Sequence, residues 1–556
     1  MLKNRKRSVL LLLLPVLLAG AVAIDYVQAA SRAPLLQQWA TLNQIARLVR
    51  DNYVESVPQE KLIDGAIEGM LGKLDPHSTY ITPEETKQVQ ERFEGEFEGI
   101  GIHFDIIDDV LTVLSPIPGS PAYKVGLQAG DKIVKIDGKS AIGIKITQVQ
   151  ERLKGPKGTQ VAVSVRREGE TDLLEFTMTR DKIDVLSVQP AFFIRPGVGY
   201  IWISRFTRKT AEEFNQALER LKNDGMKQLI LDLRDNGGGY LDQAVEVAEP
   251  FVDKEEMIVY TQGRRPSSTE EHRARKDIPR PRFPVIVLIN NVSASASEIL
   301  AGALQDHDRA LIVGQTSFGK GLVQNKFELQ NGGAVLLTVA RYYTPSGRLI
   351  QRPYTEDRLS YLQEAGRPAI LRESVAGVED TLKAPERPVF YTINLHRKVY
   401  GGGGIAPDVI LNPDTLTAFD RRLGKENVLF EFANHYATVH RAELNDIDEF
   451  IRDFRLSEED LAQITKILSD KRIPVDERTL GESLDFIRRM VMPEIALSRW
   501  GLEDQYRVEK SLDPQVNRAV QLFDQAKRIL DLRTGGLGHG AASQRAPDVK
   551  AAGKLR

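Results

Sequence analysis

The sequence predicts a multidomain α/β protein, and three observations carry that prediction. Between about residues 187 and 415, short apolar runs such as 229–233 and 285–289 alternate with amphipathic stretches, which is typical of strands covered on both faces by helices. From 95 to about 182, apolar residues alternate with polar ones between glycine and proline turns, which indicates a small β-rich domain. A chain of 556 residues also exceeds what one hydrophobic core usually supports.

The composition excludes several functional classes. Lys and Arg number 75 against 77 Asp and Glu, a net charge of -2, whereas a dedicated nucleic-acid binder normally carries a strongly basic domain. With 42% hydrophobic and 27% charged residues, the chain is not mostly disordered. The absence of cysteine excludes disulfide scaffolds, cysteine nucleophiles and Cys-ligated metal sites. No sequence feature implies a metal or an organic cofactor.

The first thirty residues have the pattern of a targeting segment. Basic residues between Lys3 and Arg7 precede an apolar run at 9–24, which is shorter than the about 20 residues of a membrane-spanning helix. Small residues near 27–29 offer a cleavage site. We predict that residues 1–30 direct export, either as a cleaved signal peptide or as an uncleaved anchor that associates the protein with a membrane.

One segment places a serine where a nucleophile is useful. Residues 293–298, Ser-Ala-Ser-Ala-Ser-Glu, lie between the apolar run 285–289 and a helix-like stretch at 299–305. A strand-to-helix turn projects its side chain into a crevice, and the helix N-terminus supplies unpaired amides that can stabilise an oxyanion. A purely structural alternative stays open, because Ser295 and Glu298 also fit a capping box.

A serine nucleophile needs a general base, because its hydroxyl is a weak nucleophile at neutral pH. We interpret His307 as a surface or helix-end histidine, since it lies about 15 Å from Ser295 along the helix. Lys320 is the better candidate, because burial against apolar walls such as Phe318 favours the neutral amine, and Ser–Lys catalysis is a recognised variant. Gln324, four residues on, can hold that amine in position.

Three glycine-rich segments carry backbone amides that can bind an anion. Residues 232–239 end a buried strand, where amides can face an oxyanion or simply form a tight turn. Residues 99–102, Gly-Ile-Gly-Ile, can form a nest for a terminal carboxylate while a peptide adds as an extra strand. Residues 314–320 fit the start of a P-loop, but Gly321 replaces its Ser or Thr, which argues against nucleotide binding.

Together these motifs resemble the carboxyl-terminal processing (tail-specific) protease family, exported PDZ-containing serine peptidases with a Ser–Lys dyad. The resemblance covers roughly residues 40–412, without departure at the catalytic positions. The matching motifs are residues 74–78, 99–102, 125–131, 231–239, 293–299, 318–321 with Gln324, and 400–408.

The resemblance implies a fold with a helical N-terminal segment, a PDZ-like β-rich domain and an α/β (ClpP/crotonase-like) peptidase core. The resemblance stops at about residue 416, and the apolar spacing of Leu461, Ile464 and Leu468 predicts a helical C-terminal region beyond it. The expected boundaries are 1–30 for the signal peptide or anchor, 31–95 for the N-terminal helical segment, 96–185 for the PDZ-like peptide-binding domain, 186–415 for the peptidase core with an insertion at about 354–388, 416–533 for the C-terminal helical domain and 534–556 for a disordered tail.

The same resemblance assigns the site residues. It implies Ser295 as nucleophile, Lys320 as general base and Gln324 as the residue that orients the lysine. It further implies an oxyanion hole and supporting residues. These are the backbone amides of Gly238 and Ala296, Asp306 as structural support, and Gly99, Ile100, Gly101 and Ile102 as the binding loop for the peptide carboxylate.

The implied function is a serine endopeptidase that cleaves exported or misfolded proteins near their C-terminus. The PDZ-like domain would capture free apolar C-termini and regulate activity by keeping Lys320 away from Ser295, because a glycine-flanked loop can move. The expected location is the bacterial periplasm or cell envelope, with or without an inner-membrane anchor. An adaptor protein and homo-oligomerisation stay open, no nucleic-acid partner is expected, and the alternatives are a non-catalytic PDZ scaffold or chaperone and another acyl-transfer enzyme.

Overall fold

The computed structural model describes residues 37–276, 280–354, 361 and 387–535. The predicted export segment, almost all of the predicted insertion and nearly the whole predicted tail lie outside those residues. The chain divides into two compact units, residues 1–80 and 81–556. Within the described part of the chain, no helix combines the length and apolar character needed to cross a membrane.

The described part of the first unit is helical. Helix α1 spans 37–52, and α2 spans Gln59–Leu71. A short strand, β1 (Thr79–Ile81), follows them. Apolar side chains on α1, including Trp39 and Ile45, are exposed.

The second unit begins with α3 (Pro83–Glu94), whose start and end are both encoded locally. The Thr82 hydroxyl accepts a hydrogen bond from the Glu85 N–H, and the Glu85 carboxylate accepts from the Thr82 N–H, which is a capping box. Gly95 ends the helix in the left-handed conformation that favours glycine.

A small β-domain follows, as the alternating pattern predicts. Its main sheet has the order β3-β4-β5-β7-β8, with β6 paired to β5, and β2 pairs with β9. Leu111, Val113 and Val163 are fully buried in its core. The elements are β2 (Glu96–Gly99), β3 (Ile102–Ile107), β4 (Val110–Pro116), α4 (Pro121–Lys124), β5 (Lys132–Ile136), β6 (Lys139–Ser140), α5 (Ile146–Leu153), β7 (Gln160–Arg166), β8 (Leu174–Thr179) and β9 (Asp181–Asp184).

The α/β core is built on a six-stranded sheet of order β10-β11-β12-β15-β16-β21, parallel from β11 onward. Continuous apolar runs form its central strands because helices cover both faces. Leu229, Val287 and Ile312 have no exposed surface. The sheet comprises β10 (Phe192–Arg195), β11 (Val198–Trp202), β12 (Gln228–Asp232), β15 (Val285–Ile289), β16 (Leu311–Gly314) and β21 (Val409–Ile410).

Helices and a second, antiparallel sheet surround these strands. Strand β18 lies between β13 and β17, and β14 pairs with β13. A separate hairpin joins β19 and β20. The elements are α6 (Thr210–Asn223), α7 (Leu241–Ala248), β13 (Met257–Gly263), β14 (Glu271–Arg273), α8 (Ala296–Asp306), β17 (Leu322–Glu328), β18 (Ala334–Tyr343), β19 (Val389–Tyr391) and β20 (Lys398–Tyr400).

The C-terminal region is helical, and its last two helices pack on the core. Val516, Ala519 and Phe523 share one buried cluster with Ile230 and Ile286 of the parallel sheet. These two helices therefore pack against the parallel sheet of the core. The helices are α9 (Ala418–Lys425), α10 (Val428–Val439), α11 (Ile447–Asp453), α12 (Glu458–Asp470), α13 (Glu477–Glu482), α14 (Leu484–Arg499), α15 (Leu502–Leu512), α16 (Pro514–Val520) and α17 (Phe523–Gly535).

The sequence prediction of an α/β multidomain fold with a small β-domain and helical regions at both ends is thus confirmed. Its central strands lie within a residue of the predicted runs, and 285–289 coincides with β15.

Candidate active site

The turn between β15 and α8 presents Ser295 in a strained conformation. Ser295 precedes the first helical residue, Ala296, and has φ 54° and ψ -113°. A non-glycine residue at positive φ costs of order 1–3 kcal/mol and persists only where the surroundings enforce it. The turn therefore resembles the sharp strand-to-helix elbows that expose nucleophilic serines.

The structure separates the three serines of the motif. Ser293 and Ser297 are fully buried, and their hydroxyls donate to backbone carbonyls. Ser293 Oγ donates to Leu233 at 2.8 Å and Ser297 Oγ to Asn236 at 2.9 Å. Ser295 is half-buried and lines a cavity. The two outer serines hold the turn in place, and the middle one faces open space.

Ser295 and Lys320 line the same cavity, which has a volume of ≈ 630 Å³. Lys320 Nζ donates to Gln324 Oε1 at 2.6 Å, and Lys320 itself is half-buried. Ile299 and Leu322 supply apolar lining. The predicted positions of nucleophile, base and orienting amide are therefore brought together in the lining of one cavity.

Phe318 does not form the apolar wall that the sequence predicts beside the lysine. Its ring packs edge-on against Tyr361 at 5.9 Å, and the Arg352 guanidinium lies 4.9 Å from its centre. Phe318 is absent from the cavity lining, whereas Leu322 and Leu336 belong to it. The aromatic ring therefore anchors the loop before Lys320, and aliphatic side chains of the neighbouring hairpin supply the apolar lining.

Glu298 does more than cap α8. Its side chain is fully buried, and Oε2 accepts from the backbone N–H groups of Ser295 at 2.8 Å and Lys320 at 2.9 Å. Oε1 accepts from Ser317 Oγ at 2.5 Å and the Gly319 N–H at 2.7 Å. Burial raises the pKa of Glu298 above its usual range, while these four hydrogen bonds oppose the shift.

The loop that carries Lys320 is hydrogen-bonded to neighbouring segments on both sides of the lysine. The Phe318 N–H donates to the Ser293 carbonyl at 2.9 Å, and the Arg352 N–H donates to the Gly319 carbonyl at 2.8 Å. A Cβ on Gly319 would lie 2.8 Å from Arg352 Cβ. Glycine is thus required there for close packing, and movement of this loop on peptide binding stays a prediction.

The two predicted oxyanion amides differ in their present partners. The Gly238 N–H donates to Asn236 Oδ1 at 2.8 Å. Gly238 has φ 98°, and a Cβ there would lie 2.8 Å from Ser295 Cβ, so the glycine loop packs directly against the candidate nucleophile. The Ala296 N–H, at the first helical position, donates to no residue that the structure describes.

Asp306 and His307 lie at the far end of α8. Asp306 forms a fully buried ion pair with Arg348 at 2.5 Å, and its Oδ2 accepts from the Ser346 N–H at 3.0 Å. His307 is the C-cap of α8 and is 1% exposed, so of the two predicted locations, surface or helix end, the helix end is the one observed. Its Nε2 lies 2.6 Å from the Met257 carbonyl and its Nδ1 3.3 Å from Glu256.

The loop predicted to bind a peptide carboxylate lies in the small β-domain. The Ile100 carbonyl accepts from the Ala122 N–H at 2.9 Å, and the Gly101 carbonyl accepts from the Ile117 N–H at 3.0 Å and from Ser120 Oγ at 2.9 Å. Strand β3, which begins at the next residue, is terminal in its sheet. A peptide can pair with such an edge.

Sequence reasoning missed Tyr342 and the second role of Glu298. Tyr342 Oη lies within hydrogen-bond distance of the backbone carbonyls of Ser295 and Lys320. No local pattern in β18 marks this tyrosine, because its partners are distant in sequence. Over the described ranges, no group of three or more His, Asp or Glu side chains is arranged to hold a metal ion.

Comparisons with known proteins place the chain in a family. The model of peptidase family S41 matches residues 197–358, and that of the PDZ domain matches 112–167. The model of the activating protease CtpB N-terminal domain matches 22–86. Residues 420–501 match a family of unknown function, DUF8443.

Curated relatives agree with these matches. A carboxy-terminal-processing protease of Bartonella bacilliformis is 42% identical over 319 residues, which are 57% of this chain and 73% of the relative. The carboxy-terminal processing protease CtpA of Bacillus subtilis is 36% identical over 312 residues, 56% of this chain and 66% of the relative. A solved photosystem II D1 C-terminal processing protease is 28% identical, with a TM-score of 0.34 over 66% of this chain and 87% of that one.

These matches confirm the resemblance predicted from the motifs. The S41 match contains the positions of Ser295 and Lys320, and the PDZ match lies in the small β-domain. The chain therefore belongs to the carboxy-terminal processing proteases, serine-type peptidases of family S41 with a PDZ domain.

Proposed function

We propose that this chain hydrolyses peptide bonds of exported or misfolded proteins near their C-terminus, with Ser295 as nucleophile and Lys320 as general base. The observation that carries the assignment is the shared cavity, in which the lysine amine is held by Gln324 Oε1 at 2.6 Å. The amide oxygen of Gln324 accepts a hydrogen bond from an N–H of the amine, which leaves the nitrogen lone pair of a neutral lysine for the serine.

The proposed reaction has two halves. Ser295 Oγ attacks the scissile carbonyl carbon, its proton passes to neutral Lys320, and the lysine then donates that proton to the leaving amine. Water, deprotonated by Lys320, hydrolyses the resulting acyl-enzyme, releases the new carboxylate and restores the serine hydroxyl.

The Ala296 N–H and the Gly238 N–H are proposed to stabilise the oxyanion. In support, the Ala296 amide begins α8, and Gly238 packs against the Ser295 side chain. For Gly238 to take part, its N–H must exchange Asn236 Oδ1 for the substrate oxygen.

Substrate selection is proposed to depend on the PDZ domain. A free C-terminal carboxylate would bind at the loop of Gly99, Ile100, Gly101 and Ile102, and the preceding apolar residues would extend along β3. Support comes from the terminal position of β3 in its sheet.

We further propose that the protein acts outside the cytoplasm, in the bacterial periplasm or cell envelope, with residues 1–30 as export signal or anchor. The basic and apolar pattern of that segment supports the proposal. Sequencing the N-terminus of protein isolated from an envelope fraction tests it. Recovery from the cytosol with Met1 still present would contradict it.

The decisive experiment measures cleavage of an unfolded protein with an apolar C-terminus by the chain lacking residues 1–30. Ser295→Ala and Lys320→Ala are expected to abolish cleavage, and Lys222→Ala, at the exposed end of α6, serves as the matched control. Cleavage that survives in Lys320→Ala means that another group is the base. No cleavage by the unsubstituted chain, even with added C-terminal peptide, favours the non-catalytic scaffold.

Two further conditions of the same assay test the remaining assignments. A substrate whose C-terminal carboxylate is amidated is expected to be cleaved more slowly than the unmodified substrate, because the nest binds an anion. EDTA is expected to leave the rate unchanged, since no step of the proposed mechanism uses a metal ion. Equal rates for both substrates would contradict the role of the carboxylate.

A further inference from the structure

Two buried side chains hold the backbone of both candidate catalytic residues. Glu298 Oε2 accepts from the N–H groups of Ser295 and Lys320 at 2.8 and 2.9 Å. Tyr342 Oη lies 3.1 Å from the Ser295 carbonyl oxygen and 2.5 Å from that of Lys320. In both residues, therefore, the backbone N–H is bound by Glu298 and the backbone carbonyl by Tyr342.

Tyr342 is placed for this role by strand pairing. It lies near the end of β18, whose neighbour β17 begins just after the lysine loop, and the Tyr342 N–H donates to the Gly321 carbonyl at 3.0 Å. The side chain is 1% exposed, so its position is set by packing. Burial and the nearby Glu298 raise the pKa of Tyr342, so the phenol keeps its proton and acts as a donor.

The phenol has one proton and two carbonyl acceptors within reach. Such a three-centred bond is strongest when both oxygens keep their present positions, because hydrogen bonds weaken steeply as distance and angle depart from ideal values. Glu298 acts in the opposite sense on the amides, as an acceptor for two donors. The two contacts together restrict the separation of the serine turn from the lysine loop.

We propose that Tyr342 is a positioning residue that, with Glu298, keeps Lys320 in register with Ser295. This inference rests on the proposed Ser–Lys dyad. Neither side chain takes a proton from the substrate in this scheme; both set the distance over which the serine proton travels to the amine. A misplacement of about 1 Å can lower a catalytic rate about a hundredfold. Loss of the hydrogen bonds that hold the serine turn beside the lysine loop should therefore have a measurable effect on turnover.

The test compares Tyr342→Phe with Tyr343→Phe in the chain lacking residues 1–30. Phenylalanine keeps the ring and removes only the hydroxyl, and Tyr343 is the matched neighbour, stacked on Tyr260 at 5.0 Å. We expect kcat of Tyr342→Phe to fall about ten- to a hundredfold, with KM within about twofold and an unchanged circular dichroism spectrum. Tyr343→Phe is expected to match the unsubstituted chain in both constants.

Glu298→Gln tests the contacts of the Glu298 carboxylate with the N–H groups of Ser295 and Lys320. Its amide group places N–H donors against backbone N–H donors, so kcat is again expected to fall with KM retained, even if Tyr342→Phe folds poorly. An unchanged kcat in a folded Tyr342→Phe, or a loss expressed in KM alone, overturns the inference while the dyad stands. Activity retained by Ser295→Ala overturns the dyad and, with it, the positioning role.

Discussion

Glu494 lies in a second cavity, between the PDZ domain and the C-terminal helices, where we expect it to make stability depend on pH. The cavity has a volume of ≈ 340 Å³ and is lined by His103 and Asp105 of β3 and by Glu494 of α14. The pKa of Glu494 is raised to about 7, chiefly by burial and in addition by the nearby Glu509 carboxylate, while a hydrogen bond from Gln505 opposes the shift.

The size and sign of the effect follow from linkage. In the unfolded chain the carboxyl loses its proton near its ordinary pKa of 4.5, and in the folded chain near 7. Between these values the unfolded state binds fewer protons, so each pH unit lowers the free energy of unfolding by about 1.4 kcal/mol. The loss reaches about 3 kcal/mol by pH 8. Glu494→Gln, which has no proton to lose, is expected to escape it.

The assay is urea unfolding at several pH values between 4.5 and 8, followed by Trp500 fluorescence. Trp500 packs against the C-terminal helical cluster. The sequence has three tryptophans, so replacing Trp39 and Trp202 by Phe leaves Trp500 as the single fluorescent tryptophan. Using this background for both proteins cancels all other titrating groups, including His103, whose pKa is lowered by burial. A stability difference between Glu494→Gln and its parent that stays constant across this range would refute the reasoning.

Two further predictions concern the core. Gly238→Ala is expected to lower kcat about a hundredfold or more with the fold retained, because the new Cβ would lie 2.8 Å from Ser295 Cβ and φ is 98°. Steady-state kinetics measure this loss beside the control Gly424→Ala, where a Cβ meets nothing within 4 Å. Equal rates for the two variants would exclude close contact between Gly238 and Ser295. Asp306→Asn is expected to lower the free energy of unfolding by about 3–5 kcal/mol, because the buried Arg348 charge loses its partner. Urea unfolding measures that loss, and a fully stable but inactive variant would instead assign Asp306 to catalysis.

Elements with strong burial patterns could be predicted from the sequence. The run 285–289 coincides with β15, and 229–233 differs from β12 by one residue at each end. Such strands are apolar throughout because both of their faces are covered. The hairpin of β17 and β18 was not predicted, because much of β17 is exposed and its side chains follow no regular apolar period.

Motifs gave good expectations for the site where chemistry depends on local sequence. The strand-to-helix turn singled out the segment 293–298, and the family resemblance selected Ser295 among its serines. The spacing of four residues singled out Gln324 beside Lys320. The sequence did not show how closely two other residues of this region are packed. The glycines around Lys320 allow close packing against Arg352, and His307 is buried at the end of α8, because neighbours distant in sequence decide both.

By itself, the sequence determined the family, the order of the domains and the residue types available for acyl transfer. Tertiary structure alone decided which groups meet. It engaged the hydroxyls of Ser293 and Ser297 with carbonyls about 60 residues away in sequence, and it brought Tyr342 to the carbonyls of Ser295 and Lys320. The physical reason is that hydrogen bonds and packing act over a few ångströms, whereas the residues involved are separated by tens of positions along the chain.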